Sequence, residues 1–243
     1  MHQTVATERG VAWITEGWRL FMRRPDLLIG MTVITLLMFG MLNLVPLLGN
    51  MVALVGIVVL AAGMYFTLDR MHHNQGVAFD ALFSGFGERV QPLLMLGLIF
   101  LGAEIVIALI VVIVLKGSMI GALMGVIMAH GELSPVMIAS LIQASLVVLI
   151  LVLLLSLPLF MAYTFAIPLV CLSGHKPVAA LKASFYAVAA NWAPFLVFGL
   201  IYIVLALLAT IPLMLGWLVL LPLTFASTYI AYREVFAENT RLP

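Results

Sequence analysis

Gly17-Trp18-Arg19-Leu20-Phe21-Met22-Arg23-Arg24-Pro25 passes directly into the apolar run Leu27–Leu48, and that junction decides the fold. A short segment mixing arginines with aromatics meets a proline, and behind it lie enough apolar residues for the roughly 20 that a helix needs to cross a bilayer. The pattern recurs at Leu82-Phe83-Ser84-Gly85-Phe86-Gly87-Glu88-Arg89-Val90-Gln91-Pro92 and at Ser184-Phe185-Tyr186-Ala187-Val188-Ala189-Ala190-Asn191-Trp192-Ala193-Pro194.

Composition identifies the solvent. Of the 243 residues 65% are hydrophobic and 9% charged, with a mean hydropathy of +1.26. Water-soluble chains carry roughly a quarter charged residues, so this chain belongs in lipid. The lone Cys171 excludes an internal disulfide. The first apolar run ends at Leu48-Gly49 without a small-residue cleavage pattern and is expected to be an uncleaved span.

Apolar length predicts spans at Leu27–Leu48, Met51–Leu68, Pro92–Leu115, Val136–Leu172, Ala193–Ile211 and Leu213–Tyr232. The fourth is too long for a straight crossing, and Pro158 and Pro168 predict that it is kinked or broken. Lys116–Ser134 reads as an extracytoplasmic insertion, residues 116–134, whose apolar part, Ser118–Ala129, has the length of an interfacial or re-entrant helix. The expected fold is therefore all-α, a polytopic transmembrane helical bundle forming one domain over residues 1–243. Its six spans are arranged as three parallel-oriented hairpin repeats, about 7–70, 76–174 and 175–236, each preceded by a cytoplasmic amphipathic helix. In this arrangement Arg9, Arg19, Arg23, Arg24, Arg70, Arg89, Lys176, Lys182, Arg233 and Arg241 share one side, with only Lys116 opposite, which places both termini in the cytoplasm. Repeats entering with the same polarity are parallel rather than inverted.

Val11, Ile14, Trp18 and Phe21 recur at helical spacing, while Arg9, Glu16, Arg19 and Arg23 occupy other faces. An interfacial helix is expected, with Trp13 and Trp18 at headgroup depth and Arg19, Arg23 and Arg24 facing anionic lipid. Phe79, Leu82, Phe83, Phe86 and Val90 form a comparable stripe ahead of the second hairpin, and Pro177 suits the first turn of a helix ahead of the third.

Glu104 is the one acidic residue well inside a predicted span, and a carboxylate there is a substrate or proton-coupling candidate because it is costly to bury unpaired. Gly97, Leu101, Glu104 and Ala108 share a face, and Asn43, Ser140, Gln143, Ser145, Tyr163, Tyr202 and Thr210 are the polar groups available to it, as interhelical hydrogen bonding requires. Small-residue ridges at Gly49, Ala53, Gly56 and Gly63 and at Gly117, Gly121 and Gly125 predict close helix packing. Met119, Met124, Met128 and His130 carry soft-metal donors, but methionines run through all the apolar segments and fill gaps there. His72-His73 beside Arg70 reads as a membrane-boundary pair, and His2, His175 and Cys171 form no metal-ligand spacing, so no metal and no cofactor is expected. Phosphate-binding glycine loops, His-Glu-x-x-His and Gly-x-Ser-x-Gly are absent, as is any basic patch suited to nucleic acid.

Glu8-Arg9-Gly10-Val11-Ala12-Trp13-Ile14 with Gly17-Trp18-Arg19-Leu20-Phe21 and Pro25, followed by repeated hairpins, resembles a group of uncharacterised bacterial six-span membrane proteins. In plan the chain is similar to the membrane domain attached to some glycerophosphodiester phosphodiesterases. The resemblance implies a bacterial inner-membrane protein and supplies no catalytic residues. The function expected is a non-enzymatic accessory or scaffold bound to membrane lipids and to other membrane subunits. The alternatives are a carrier for a lipid or other hydrophobic molecule with Glu104 in its cavity, and an intramembrane lipid-modifying enzyme.

Overall fold

The computed structural model describes residues 2–128 and 135–236. Nine α-helices appear among them: α1 Arg9–Phe21, α2 Pro25–Asn43, α3 Leu48–His72, α4 Val90–Met128, α5 Pro135–Tyr163, α6 Ala166–Cys171, α7 Pro177–Ala190, α8 Trp192–Thr210 and α9 Trp217–Val235. A 3-10 helix, Phe79–Phe86, lies between α3 and α4, and the described residues contain no strand. Five stretches are long and apolar enough to cross a membrane: Pro25–Asn43, Leu48–His72, Val90–Lys116, Ser145–Cys171 and Trp192–Thr210. The chain is a multi-pass membrane protein on that ground. The predicted sixth span corresponds to α9, which ends in Arg233-Glu234 and falls short of the same measure.

Prolines set several boundaries. Pro25 and Pro177 open α2 and α7, where a missing backbone donor leaves no bond unmade. The predicted break in the long fourth helix falls at Thr164-Phe165. Pro168 accounts for it, because its ring clashes with the carbonyl four residues earlier, that of Thr164. Pro158, by contrast, is accommodated inside α5. The predicted separate helix at Ser118–Ala129 is not formed as such: α4 continues unbroken to Met128, 39 residues or about 58 Å. Glycines at 117, 121 and 125 weaken a helix but do not stop it, and no proline follows Pro92 until Pro135. His130 and the end of the predicted insertion lie outside the described residues.

The chain divides into two compact units, Met1–Phe100 with Met161–Pro243, and Leu101–Phe160. The first holds a dense core whose largest fully buried side chains include Trp13, Phe21, Phe165, Tyr229 and Tyr232. In this unit α1 packs across α9 and α8, α2 pairs with α3, and α8 pairs with α9. The turns of the two hairpins are built alike. Leu47 in one, and Leu213 and Met214 in the other, adopt positive φ beside Pro46 and Pro212. A glycine then packs on the preceding helix: a Cβ on Gly49 would sit 2.8 Å from the Leu42 carbonyl carbon, and one on Gly216 2.5 Å from Ala209 Cα. The second unit consists of the remainder of α4 and most of α5.

Candidate functional site

The amphipathic period of α1 is real, but its apolar face meets protein. Trp13, expected at headgroup depth, is fully buried between the rings of Phe195, 5.0 Å away, and Phe198, 6.2 Å away. Its indole N–H donates to Glu234 Oε2 at 2.6 Å, and Arg9 Nε donates to Oε1 of the same carboxylate at 2.6 Å. The Arg9 guanidinium also pairs with Glu16 at 3.0 Å. Its affinity for its proton is raised, chiefly by the hydrogen bond to Glu234. Glycines make the crossing possible. A Cβ on Gly17 would lie 2.7 Å from Ser227 Cα of α9, and one on Gly10 3.0 Å from Phe198 N of α8. Ahead of α1, Gln3 N donates to Val235 O and Val5 N to Asn191 Oδ1, so the N-terminal segment is fastened to the end of α9 and to the junction of α7 and α8.

Trp18, 42% exposed, and the exposed Arg19 keep the outward position predicted for them. Arg23 and Arg24 are already engaged by the protein, the first donating to Met71 O and Asn74 Oδ1 and the second pairing with Asp26 at 3.2 Å.

The segment ahead of the second hairpin departs further from expectation. It is a 3-10 helix seated against the interior of α3: a Cβ on Gly63 would fall 2.9 Å from Leu82 Cα, and one on Gly85 3.1 Å from the Val59 carbonyl carbon. Phe79 rests on Gly30 of α2 in the same manner. Val59 and Gly63 are 13 and 9 residues before the end of α3 at His72, so the segment doubles back alongside a membrane-crossing helix by roughly 13 to 20 Å. Leu82 is fully buried against α3, whereas Phe79, Phe83 and Phe86 are about half exposed. The predicted single stripe is therefore split into a buried edge and an outward aromatic edge.

At the ends of α3 and α9 polar groups converge. Tyr229 donates to Asp69 Oδ1 at 2.8 Å, His73 Nδ1 lies 2.8 Å from Asp69 O, and Arg233 Nη1 lies 3.4 Å from both Tyr229 Oη and His73 Nε2. Arg70 and Arg233 stand in last turns, where a cation offsets the negative end of the helix dipole. These groups satisfy one another. No cluster of three or more metal-ligating side chains occurs among the described residues.

Glu104 is half-buried on α4 and forms no hydrogen bond or ion pair among the described residues. Four of the groups predicted to reach it bond elsewhere: Asn43 to Phe39 O, Tyr163 to Leu96 O, Tyr202 to Thr224 and Thr210 to Ala206 O. Gly117, Gly121 and Gly125 all fall in the same helix. Around Glu104 the chain is bare. Only 6% of the most apolar stretch of α4 is buried and none of that in Ser145–Cys171, against 61% for α3. Of the second-span ridge, Gly49 and Gly63 make the close approaches described, but Gly56 has nothing within 4 Å of the position a Cβ would take.

No family, curated protein or solved structure matches this chain.

One cavity, about 250 Å³, opens between α2, α3 and α9 within the first unit. Leu36, Phe39, Ile57, Met64, Leu221 and Phe225 contribute to its wall, and Glu104 does not. The hydroxyls of Thr32 and Thr35, also on the wall, are spent on Leu28 O at 2.8 Å and Met31 O at 2.9 Å.

Proposed function

We propose that this chain is a non-enzymatic accessory or scaffold subunit of a bacterial inner membrane, which binds other membrane subunits through the face of α4 that carries Glu104. The supporting observation is a carboxylate set among Leu101, Ile105, Val106 and Leu109 with no hydrogen-bond or ion-pair partner among the described residues. Lipid satisfies bare apolar side chains. It does not satisfy a carboxylate, for which exposure in mid-bilayer costs about 3 kcal/mol or more. A neighbouring subunit that presents a hydrogen-bond donor or a cation relieves that cost.

In this reading α9 is the sixth crossing, the three hairpins enter with the same polarity, and the basic residues hold both termini in the cytoplasm. The like construction of the α2–α3 and α8–α9 turns supports the repeat. The polar network at the ends of α3 and α9 then faces the cytoplasm, where its groups bond to one another instead of to a reacting molecule.

Cross-linking from a photoreactive residue at Leu109 or Val112, followed by purification in mild detergent, tests the proposal. Capture of a membrane protein that is lost in Glu104→Leu supports it. A solitary monomer that carries substrate flux after reconstitution overturns it.

A further inference from the structure

We propose that the cavity between α2, α3 and α9 is a binding site for one acyl chain of a membrane phospholipid. This goes beyond the accessory role and does not depend on it. The wall is built from residues midway along α2 and α3, two helices apolar and long enough to cross the membrane, so the surrounding medium at that level is hydrocarbon. Water is a poor occupant. It needs two to four polar partners, and the only hydroxyls on the wall already donate to carbonyls of their own helix. An occupant with a polar ring would meet the same lack of partners.

A flexible alkyl chain fits on each count. The volume lies just below the roughly 300–1,000 Å³ of sites that enclose a whole drug-sized molecule, which matches a segment of one chain and leaves the rest of the lipid outside. The entrance is lateral: Leu36 of α2 and Ile57 of α3 stand on the wall and are 42% and 37% exposed. Ala61, buried on α3 one turn beyond Ile57, is the smallest lining residue. Phospholipid is the molecule that surrounds these helices at the highest concentration, and one of its acyl chains enters sideways without moving its headgroup out of the interface.

The full chain, reconstituted in vesicles of phosphatidylethanolamine and phosphatidylglycerol with a trace of phospholipid carrying a diazirine in one acyl chain, provides the test. Photolabelling is expected to concentrate on peptides holding residues 32–39, 57–64 and 221–225. Ala61→Phe displaces about two methylenes of the guest and is expected to lower that labelling roughly tenfold. Leu36→Trp, at the exposed entrance, is expected to lower it in the same direction even where Ala61→Phe proves unstable. Thr35→Val removes a hydroxyl that serves only its own helix and is expected to leave labelling unchanged. Labelling spread evenly over the outer face of α8, labelling unaffected by both blocking variants, or recovery of an isoprenoid in place of a phospholipid from the purified protein overturns the proposal. Partner capture through α4 is read independently, since none of these substitutions lies on that helix.

Discussion

Trp13 and Glu234, 221 positions apart, are joined by a hydrogen bond of 2.6 Å that anchors the first helix to the last. The same carboxylate holds Arg9, so one side chain of α9 fixes both the position and the rotation of α1. Trp13→Ala is expected to lower stability by about 3–5 kcal/mol, the range for loss of a buried large aromatic. Trp13→Phe keeps most of the packing and leaves one carboxylate oxygen without its indole donor, an expected loss of about 1–3 kcal/mol. Denaturant unfolding in detergent, followed by near-ultraviolet circular dichroism, measures both.

The crossing of α1 over α9 depends on the absence of a side chain at Gly17. Gly17→Ala is expected to destabilise by about 1–3 kcal/mol through overpacking against the Ser227 backbone. Gly56→Ala, with open space around it, is expected to be neutral or slightly stabilising in the same melt, since alanine is the better helix former. Ser227 Oγ is itself buried without a hydrogen-bond partner among the described residues, so Ser227→Ala is expected to cost little. Equal shifts for Gly17→Ala and Gly56→Ala would show that the close approach has no energetic weight.

Because the 3-10 helix sits against Val59 and Gly63, midway along α3, Phe83 is expected beside hydrocarbon, while Gln75 lies in the exposed segment after α3. With Cys171 replaced by alanine, Gln75→Cys is expected to react with a membrane-impermeant maleimide and Phe83→Cys to resist it in intact proteoliposomes. Equal labelling rates would return the segment to the membrane surface.

Glu104→Gln retains an acceptor and a donor at the same place, whereas Glu104→Leu makes the helix face uniformly apolar. Partner capture is expected to persist in part with Gln and to vanish with Leu, while the thermal stability of the isolated chain rises or holds with Leu because a desolvated carboxylate has gone. Capture that is indifferent to both substitutions would place the contact elsewhere.

Much of the helical layout is legible in the letters because proline acts locally. Pro25 and Pro177 open helices where expected, and Pro168 breaks one four residues earlier. The two terminal hairpin turns are legible from Pro46, Gly49, Pro212 and Gly216 for the same reason. What escapes a local reading is what depends on a distant surface. An apolar stripe on α1 has the same period whether it faces lipid or the rings of Phe195 and Phe198, and only the position of Glu234 decides between them. The depth of the 3-10 helix is set by the meeting of Gly63 with Leu82 and of Gly85 with Val59, pairings that composition does not announce. Glu104 stands out in the sequence by its charge alone, but that Asn43, Tyr163, Tyr202 and Thr210 bond to other groups is visible only in the fold.

The enclosure of Trp13 also bears on how the protein is made. Two of its neighbours, Phe195 and Phe198, belong to α8 and its hydrogen-bond acceptor belongs to α9, so a nascent chain enters the membrane with its first helix still unhoused. Synthesis must reach α9 before that helix can dock, and closure of the core is a late event joining the two extremes of the described chain. Ribosomal products that stop short of α9 lack both the carboxylate that receives the Trp13 indole and the Ser227 surface that fills the notch at Gly17, and these two unmet contacts distinguish them from finished molecules.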